Sequence, residues 1–163
     1  MGAREAAIKR MRDKLRPSGS APADNHVRQA LAQISTNMNV RSKEEDFEKL
    51  SKIGQGSFGV VYQVRRKVDK KLYVMKVIDT RKMNSNQKKE SVLEATIMSK
   101  INCQYCVKYY DSFMKKDSIN IIMEYCENGD LGKYLKRQMQ RPLDESKIWK
   151  FFIEMCLGLR YLH

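Results

Sequence analysis

Gly54-Gln55-Gly56-Ser57-Phe58-Gly59-Val60-Val61 separates two runs, 47–53 and 60–66, whose composition predicts short β-strands. The glycines therefore fall at a hairpin rather than at a strand-to-helix turn. A dinucleotide-binding βαβ unit needs a helix directly after its glycines, so this order argues against one. Lacking a Cβ, glycine lets backbone N–H groups come close to phosphate oxygens. A plain tight hairpin explains the same residues equally well, and the choice turns on residues 72–101.

Leu72 to Ile78 predicts a third strand after the Asp69-Lys70-Lys71 turn. Leu72, Val74, Lys76 and Ile78 share one face, and Tyr73, Met75 and Val77 the other. Lys76 thus stands in an apolar row whichever face is buried. Its ammonium needs a partner or an anion, unless it snorkels to water from the strand end. A helix is predicted over 86–101, where Glu94 precedes Ile97, Met98 and Ile101 by three, four and seven residues. That spacing puts the carboxylate on the apolar face, where breaking a buried pair costs about 3–5 kcal/mol. Lys76 and Glu94 are therefore expected to pair. The alternative is that Glu94 only edges the stripe beside exposed Lys100.

Two more strands are predicted, Val107 to Phe113 and Ile119 to Tyr125, joined at Lys115-Lys116-Asp117. Glu127-Asn128-Gly129-Asp130 breaks the chain before a short helix near 131–138. Asp144 is placed as the cap of a last helix to His163, in which Ile148, Phe151, Phe152, Met155, Leu159 and Leu162 recur at helical spacing. The fold class is α+β: a mostly antiparallel sheet with one inserted helix, followed by the start of a helical part.

Upstream, residues 1–45 hold 9 Lys/Arg, 5 Asp/Glu and the breaker run Pro17-Ser18-Gly19-Ser20-Ala21-Pro22, and read as a basic flexible extension. Ile8, Met11 and Leu15 could form a narrow stripe on a basic helix, but Glu5 and Asp13 dilute its charge. The domain begins at Asp46. The whole chain of 163 residues is 42% hydrophobic, enough for a packed core, and carries 32 Lys/Arg against 19 Asp/Glu, a net charge of +13. That excess favours anionic partners without naming one. No apolar run is long enough to span a bilayer, and the first residues lack a secretory stretch, so a soluble intracellular protein is expected. Alanine at position 6 disfavours N-myristoylation. Four scattered cysteines read as reduced thiols. Within Asn102-Cys103-Gln104-Tyr105-Cys106 the Cys-x-x-Cys spacing raises zinc or redox chemistry. Zinc would lack its second pair of ligands, since Cys126, Cys156, His26 and His163 stand apart.

Taken together, the GxGxFGxV pattern, Lys76 within Val74-Met75-Lys76, and Glu94 resemble the eukaryotic protein kinases. Tyr73-Val74-Met75-Lys76, Val107 to Phe113, Ile122-Met123-Glu124-Tyr125-Cys126-Glu127-Asn128-Gly129-Asp130-Leu131 and Cys156 to His163 are similar to the NIMA-related serine/threonine kinases. The resemblance covers about 46–163. It implies a kinase-like N-lobe at 46–123 (a five-stranded antiparallel sheet plus helix C), a hinge at 124–130 and the first C-lobe helices at 131–163. It further implies that Ile53, Gly54, Gln55, Gly56, Ser57, Phe58 and Gly59 lie over bound ATP. Val61 and Val74 would pack on the adenine, and Lys76, held by Glu94, would meet the α- and β-phosphates. Met123 matches the gatekeeper, Glu124 and Cys126 the hinge, and Asp130 an acid near the ribose.

Neither a His-Arg-Asp loop nor an Asp-Phe-Gly segment occurs in these 163 residues. The base and the magnesium ligands of the family are thus expected in a missing C-terminal part, and the 163-residue chain alone is expected to be an inactive fragment. By resemblance, the parent activity is ATP- and Mg-dependent phosphorylation of protein serine or threonine. Cytoplasmic, centrosomal, ciliary or other cytoskeletal partners and locations are implied in the same way. The rival class is a noncatalytic module that binds nucleotide or competes for a partner. Nucleic-acid binding lacks a reader motif, and Lys82, Lys88 and Lys89 are ordinary for an exposed helix flank.

Overall fold

The computed structural model describes Gln29 and residues 42–56, 59–81, 83–138 and 141–163. Apart from Gln29, the basic extension before Ser42, with its possible helix through Ile8, Met11 and Leu15, lies outside the described residues, as do Ser57, Phe58 and Lys82. Five antiparallel strands form one sheet: β1 (Phe47–Gly56), β2 (Gly59–Arg66), β3 (Leu72–Asp79), β4 (Tyr109–Lys115) and β5 (Ser118–Glu124). Their order is β1-β2-β3-β5-β4. Helix α1 (Ser85–Lys100) is inserted between β3 and β4, and α2 (Leu131–Arg137) and α3 (Glu145–Leu162) follow the sheet. This is the kinase N-lobe architecture that the resemblance implies, with the start of a helical part behind it.

Register explains why β3 is apolar on both faces. Val74 and Ile78 share the α1 side with Ile119 and Ile121 of β5, where Val92 and Ala95 of α1 complete one core. Tyr73 and Met75 point to the opposite side, into a second cluster with Phe47, Val64 and Ile122. Met75, Ile119 and Ile121 are fully buried. Each such side chain contributes about 1.5–3 kcal/mol relative to exposure. Aromatic contacts bind the second cluster: Phe47 stacks on Phe113 at 6.4 Å, and Tyr110 meets Tyr73 edge-on at 5.0 Å.

Helix α1 starts in a reciprocal cap. Asn84 Oδ1 accepts from Gln87 N–H, and Gln87 Oε1 accepts from Asn84 N–H, both at 2.9 Å. Asp144 does occupy the N-cap of α3, but its side chain makes no capping bond. Its backbone carbonyl receives the Lys147 and Ile148 N–H groups instead. The β4–β5 pair is displaced from the predicted 107–113 and 119–125. The strands zip down to Lys115 opposite Ser118, because Lys116 takes a left-handed φ of 43° and closes a shorter turn.

Two polar anchors hold the sheet, one across its two edge strands and one at the β2–β3 turn. Before β1, a single 3-10 turn (Glu44–Asp46) places Glu44 between Lys49 of β1 and Lys115 of β4. These two ammonium groups hold the Glu44 carboxyl below its usual range. At the β2–β3 turn, Asp69 accepts from Arg66 Nε at 2.9 Å, Tyr73 Oη at 2.8 Å and Lys71 N–H at 3.0 Å. Led by the Arg66 hydrogen bonds, these donors hold the Asp69 carboxyl at about 2, against 3.8 ordinarily. A depressed carboxyl stabilises the fold above its unfolded value, and the gain is lost as pH falls from about 3.8 through about 2. Asp69→Asn should therefore lower the urea midpoint at neutral pH, and the gap to the unaltered chain should close as pH approaches 2. A gap that stays constant across that range would show that Asp69 contributes through its shape alone.

Candidate functional site

The sheet register lines up the residues singled out in the sequence. Gly54 of β1 pairs with Val61 of β2, Val61 with Lys76 of β3, and Lys76 with Ile121 of β5. Directly opposed residues share a face, so these four form one row on the side that α1 covers. The next pairs are Gly56 with Gly59 and Gly59 with Ile78 at one end, and Val74 with Met123 at the other. One sheet face thus presents glycine backbone, then apolar Val61 and Val74, with a single ammonium between Val61 and Ile121.

Glu94 reaches that ammonium from α1. Lys76 Nζ donates to Glu94 Oε1 at 2.8 Å. The side chains are 27% and 29% exposed, so the pair is less buried than the sequence pattern suggested. The fully covered stripe of α1 runs through Val92, Ala95 and Ile97, and Glu94 flanks it. Partial exposure limits desolvation and leaves the ammonium accessible on its open side. The cation is thus fixed in place and still able to meet an anion.

The glycines differ in what fixes them. A Cβ on Gly59 would lie 2.2 Å from the Val77 carbonyl oxygen, so the fold itself requires glycine where β2 meets β3. On Gly56 a Cβ would meet nothing within 4 Å. Packing of the described residues gives no reason for glycine there, whereas a phosphate approaching the backbone gives one. The open space over Gly56 and the accessible Lys76 ammonium are what a triphosphate needs.

On the hinge side, Glu124 is tied to the residue just before β4: its N–H donates to the Lys108 carbonyl at 2.9 Å, and its Oε2 accepts from Lys108 N–H at 3.1 Å. The Cys126 carbonyl receives Gly129 N–H at 3.0 Å, which shapes the turn into α2. Although the Cys126 side chain is exposed, partial desolvation and then the Glu124 carboxylate push its thiol up. Asp130 is the N-cap of α2, its Oδ1 accepting from Lys133 N–H at 2.7 Å. Met123 packs against the α1 core while facing Val74.

A cavity of about 1260 Å³ lies below this hinge. Its lining includes Glu124, Cys126 and Asp130, together with Tyr134 of α2 and Phe151 of α3, but not Lys76, Glu94 or a glycine of β1 and β2. The cavity therefore coincides with only the hinge end of the expected site. The row through Lys76 is a cleft face, not an enclosed pocket. Phe151 of α3 is packed edge-on against Tyr134 of α2 at 5.7 Å. Ile148, Trp149, Phe152, Met155 and Leu159 of the same helix are exposed.

Gly54, Gln55, Gly56, Gly59, Val61, Val74, Lys76, Glu94 and Met123 are thus carried on neighbouring strands and α1, with Ile53 beside them on β1. Ser57 and Phe58, expected over the phosphates, lie outside the described residues. Sequence reasoning missed Ile121, which flanks Lys76 across the β3–β5 pair. An apolar strand pattern marks Ile121 as buried, but only the register places it beside the lysine.

The protein kinase domain family matches residues 47–163. Among curated proteins, the chain is 34% identical over 119 residues to the serine/threonine-protein kinase Nek1 of Mus musculus, covering 73% of this chain and 10% of that protein. It is 36% identical over 123 residues to the probable serine/threonine-protein kinase nek2 of Dictyostelium discoideum, covering 73% and 29%. To the serine/threonine-protein kinase Nek11 of Homo sapiens it is 38% identical over 117 residues, covering 69% and 18%. The chain spans less than a third of the length of each of these relatives.

Proposed function

The chain belongs to the protein kinase family, among the NIMA-related (Nek) serine/threonine kinases, and from that membership we propose that residues 47–163 bind ATP for phosphoryl transfer to protein serine or threonine. The observation that carries the reading is the accessible Lys76 ammonium held 2.8 Å from Glu94, in line with Val61 and the glycine strand. Lys76 supplies positive charge to the α- and β-phosphates, and Glu94 fixes where that charge sits. Backbone N–H groups near Gly56 approach the phosphates where no side chain of the described residues intrudes. Val61, Val74 and Met123 bound the adenine, with Ile53 at the rim and the backbone of Glu124 and Cys126 along its polar edge. Asp130 caps α2 through Oδ1, with Oδ2 3.9 Å from Lys133 Nζ, and its place near the ribose rests on family membership.

Among the described residues no group of three or more His, Cys, Asp or Glu is placed to hold a metal ion, and the Asp-Phe-Gly segment that holds magnesium in the family does not occur in these 163 residues. No step is therefore assigned to magnesium. The 163 residues also contain no His-Arg-Asp sequence to orient an acceptor hydroxyl. Titration of ATP into this chain should give saturable binding at one site, while radiolabelled ATP leaves a generic acceptor protein unlabelled. Absence of saturable binding would overturn the nucleotide reading, and labelling of the acceptor would overturn the expected inactivity. No helix among the described residues is long and apolar enough to cross a membrane. Action in the cytoplasm at centrosomal or ciliary assemblies is part of the same proposal, resting on family membership alone.

A further inference from the structure

Cys103 and Cys106 lie in the segment between α1 and β4, on the far side of α1 from its cap. Cys106 N–H donates to the Cys103 carbonyl at 3.1 Å, closing a tight four-residue turn with both thiols partly exposed. Such a turn keeps its end Cα atoms within about 7 Å, inside the span that a disulfide tolerates. Burial first, then the neighbouring Cys103 side chain, pushes the Cys106 thiol up. No third ligand joins them, since the described residues hold no group of three metal-binding side chains. A reduced or oxidised dithiol remains as the chemistry of the pair.

The turn is wedged against α3. Asn102 N–H donates to Tyr161 Oη at 3.1 Å. A Cβ on Gly158 would lie 3.3 Å from the Tyr105 carbonyl and 3.9 Å from Cys106 Sγ, so glycine in α3 leaves the space in which the turn sits. Cys106 therefore faces the helix.

We infer that Cys103 and Cys106 form a redox-modification site, a dithiol that glutathione disulfide converts to an intraturn disulfide. The Cys103 thiolate attacks one sulfur of glutathione disulfide, the glutathione S–S bond breaks, and one glutathione leaves as thiolate. Deprotonated Cys106 then attacks the Cys103 sulfur of the mixed disulfide and releases the second glutathione. Two protein thiols are oxidised, one glutathione disulfide is reduced, and the two protons end on two glutathione molecules. Closure fixes the turn that joins the helix carrying Glu94 to α3.

Trypsin cuts after Lys100 and Lys108, so one peptide, 101–108, carries both cysteines and no other. After equilibration of the 163-residue chain with glutathione disulfide in excess over glutathione, that peptide should be lighter by two hydrogens and regain them in dithiothreitol. Because the turn already holds the thiols together, closure should need an oxidised-to-reduced glutathione ratio about tenfold lower in native chain than in urea. Cys106→Ser should instead hold one glutathione on Cys103. A peptide that stays fully reduced, collects glutathione without closing, or closes equally well in urea would overturn the inference. So would a Cys106→Ser chain with no glutathione on that peptide.

Discussion

Lys76→Met should abolish the thermal stabilisation that Mg-ATP gives the unaltered chain. A ligand at a hundred times its dissociation constant stabilises the native state by about 2.7 kcal/mol. For a domain of this size, that corresponds to a rise in melting temperature of several degrees. In the variant the apolar neighbours Val61 and Ile121 remain, and methionine fits their row, but the phosphates lose their fixed cation. Glu94 also loses its partner. Because that carboxylate is 29% exposed, water takes over part of the solvation, and the cost to the apo fold should be about 1 kcal/mol. The expected result is thus a small change without nucleotide and no shift with it. An equal nucleotide shift in both proteins would remove Lys76 from the site.

Gly59→Ala should be the most damaging small substitution in the glycine segment, and Gly56→Ala nearly silent for folding. The added methyl at position 59 would sit 2.2 Å from the Val77 carbonyl oxygen and 3.1 Å from Ile78 Cα, both backbone atoms of a strand buried on two faces. Relief requires β2 and β3 to part where Gly59 faces Ile78. Overpacking of this kind costs about 1–3 kcal/mol or more. Each kcal/mol moves the melting temperature of a domain of about a hundred residues by about 4–8 °C. At position 56 the methyl enters open space, so stability should change by about 0.5 kcal/mol or less. Thermal melts by circular dichroism compare the two directly. Equal melting temperatures would mean that strand contact does not explain Gly59.

Much of this arrangement could be read from residue order because it depends on period and spacing. Alternation in Leu72 to Ile78 placed Lys76 in an apolar row, and helical spacing turned Glu94 toward it. Both inferences need only local geometry. Strand ends were less legible: β4 runs to Lys115 because Lys116 adopts a left-handed turn without glycine or asparagine to announce it. Asp144 stands at the N-cap as read, but the absence of a side-chain capping bond was not legible, since the N-cap position alone does not determine the rotamer. Ile121 could not be assigned beside Lys76, because cross-strand register is a nonlocal property. The unequal demands on Gly56 and Gly59 were hidden for the same reason: one faces space and the other a neighbouring carbonyl.

The central claim is that Lys76 meets the phosphates of bound ATP. An acyl-phosphate derivative of ATP tests it most directly, because it transfers its acyl group to whichever lysine lies against the phosphate chain. Tryptic mass mapping then reads out the acylated residue. Selective acylation of Lys76, suppressed by excess free ATP, is the expected result. Acylation spread over surface lysines and indifferent to ATP would contradict it.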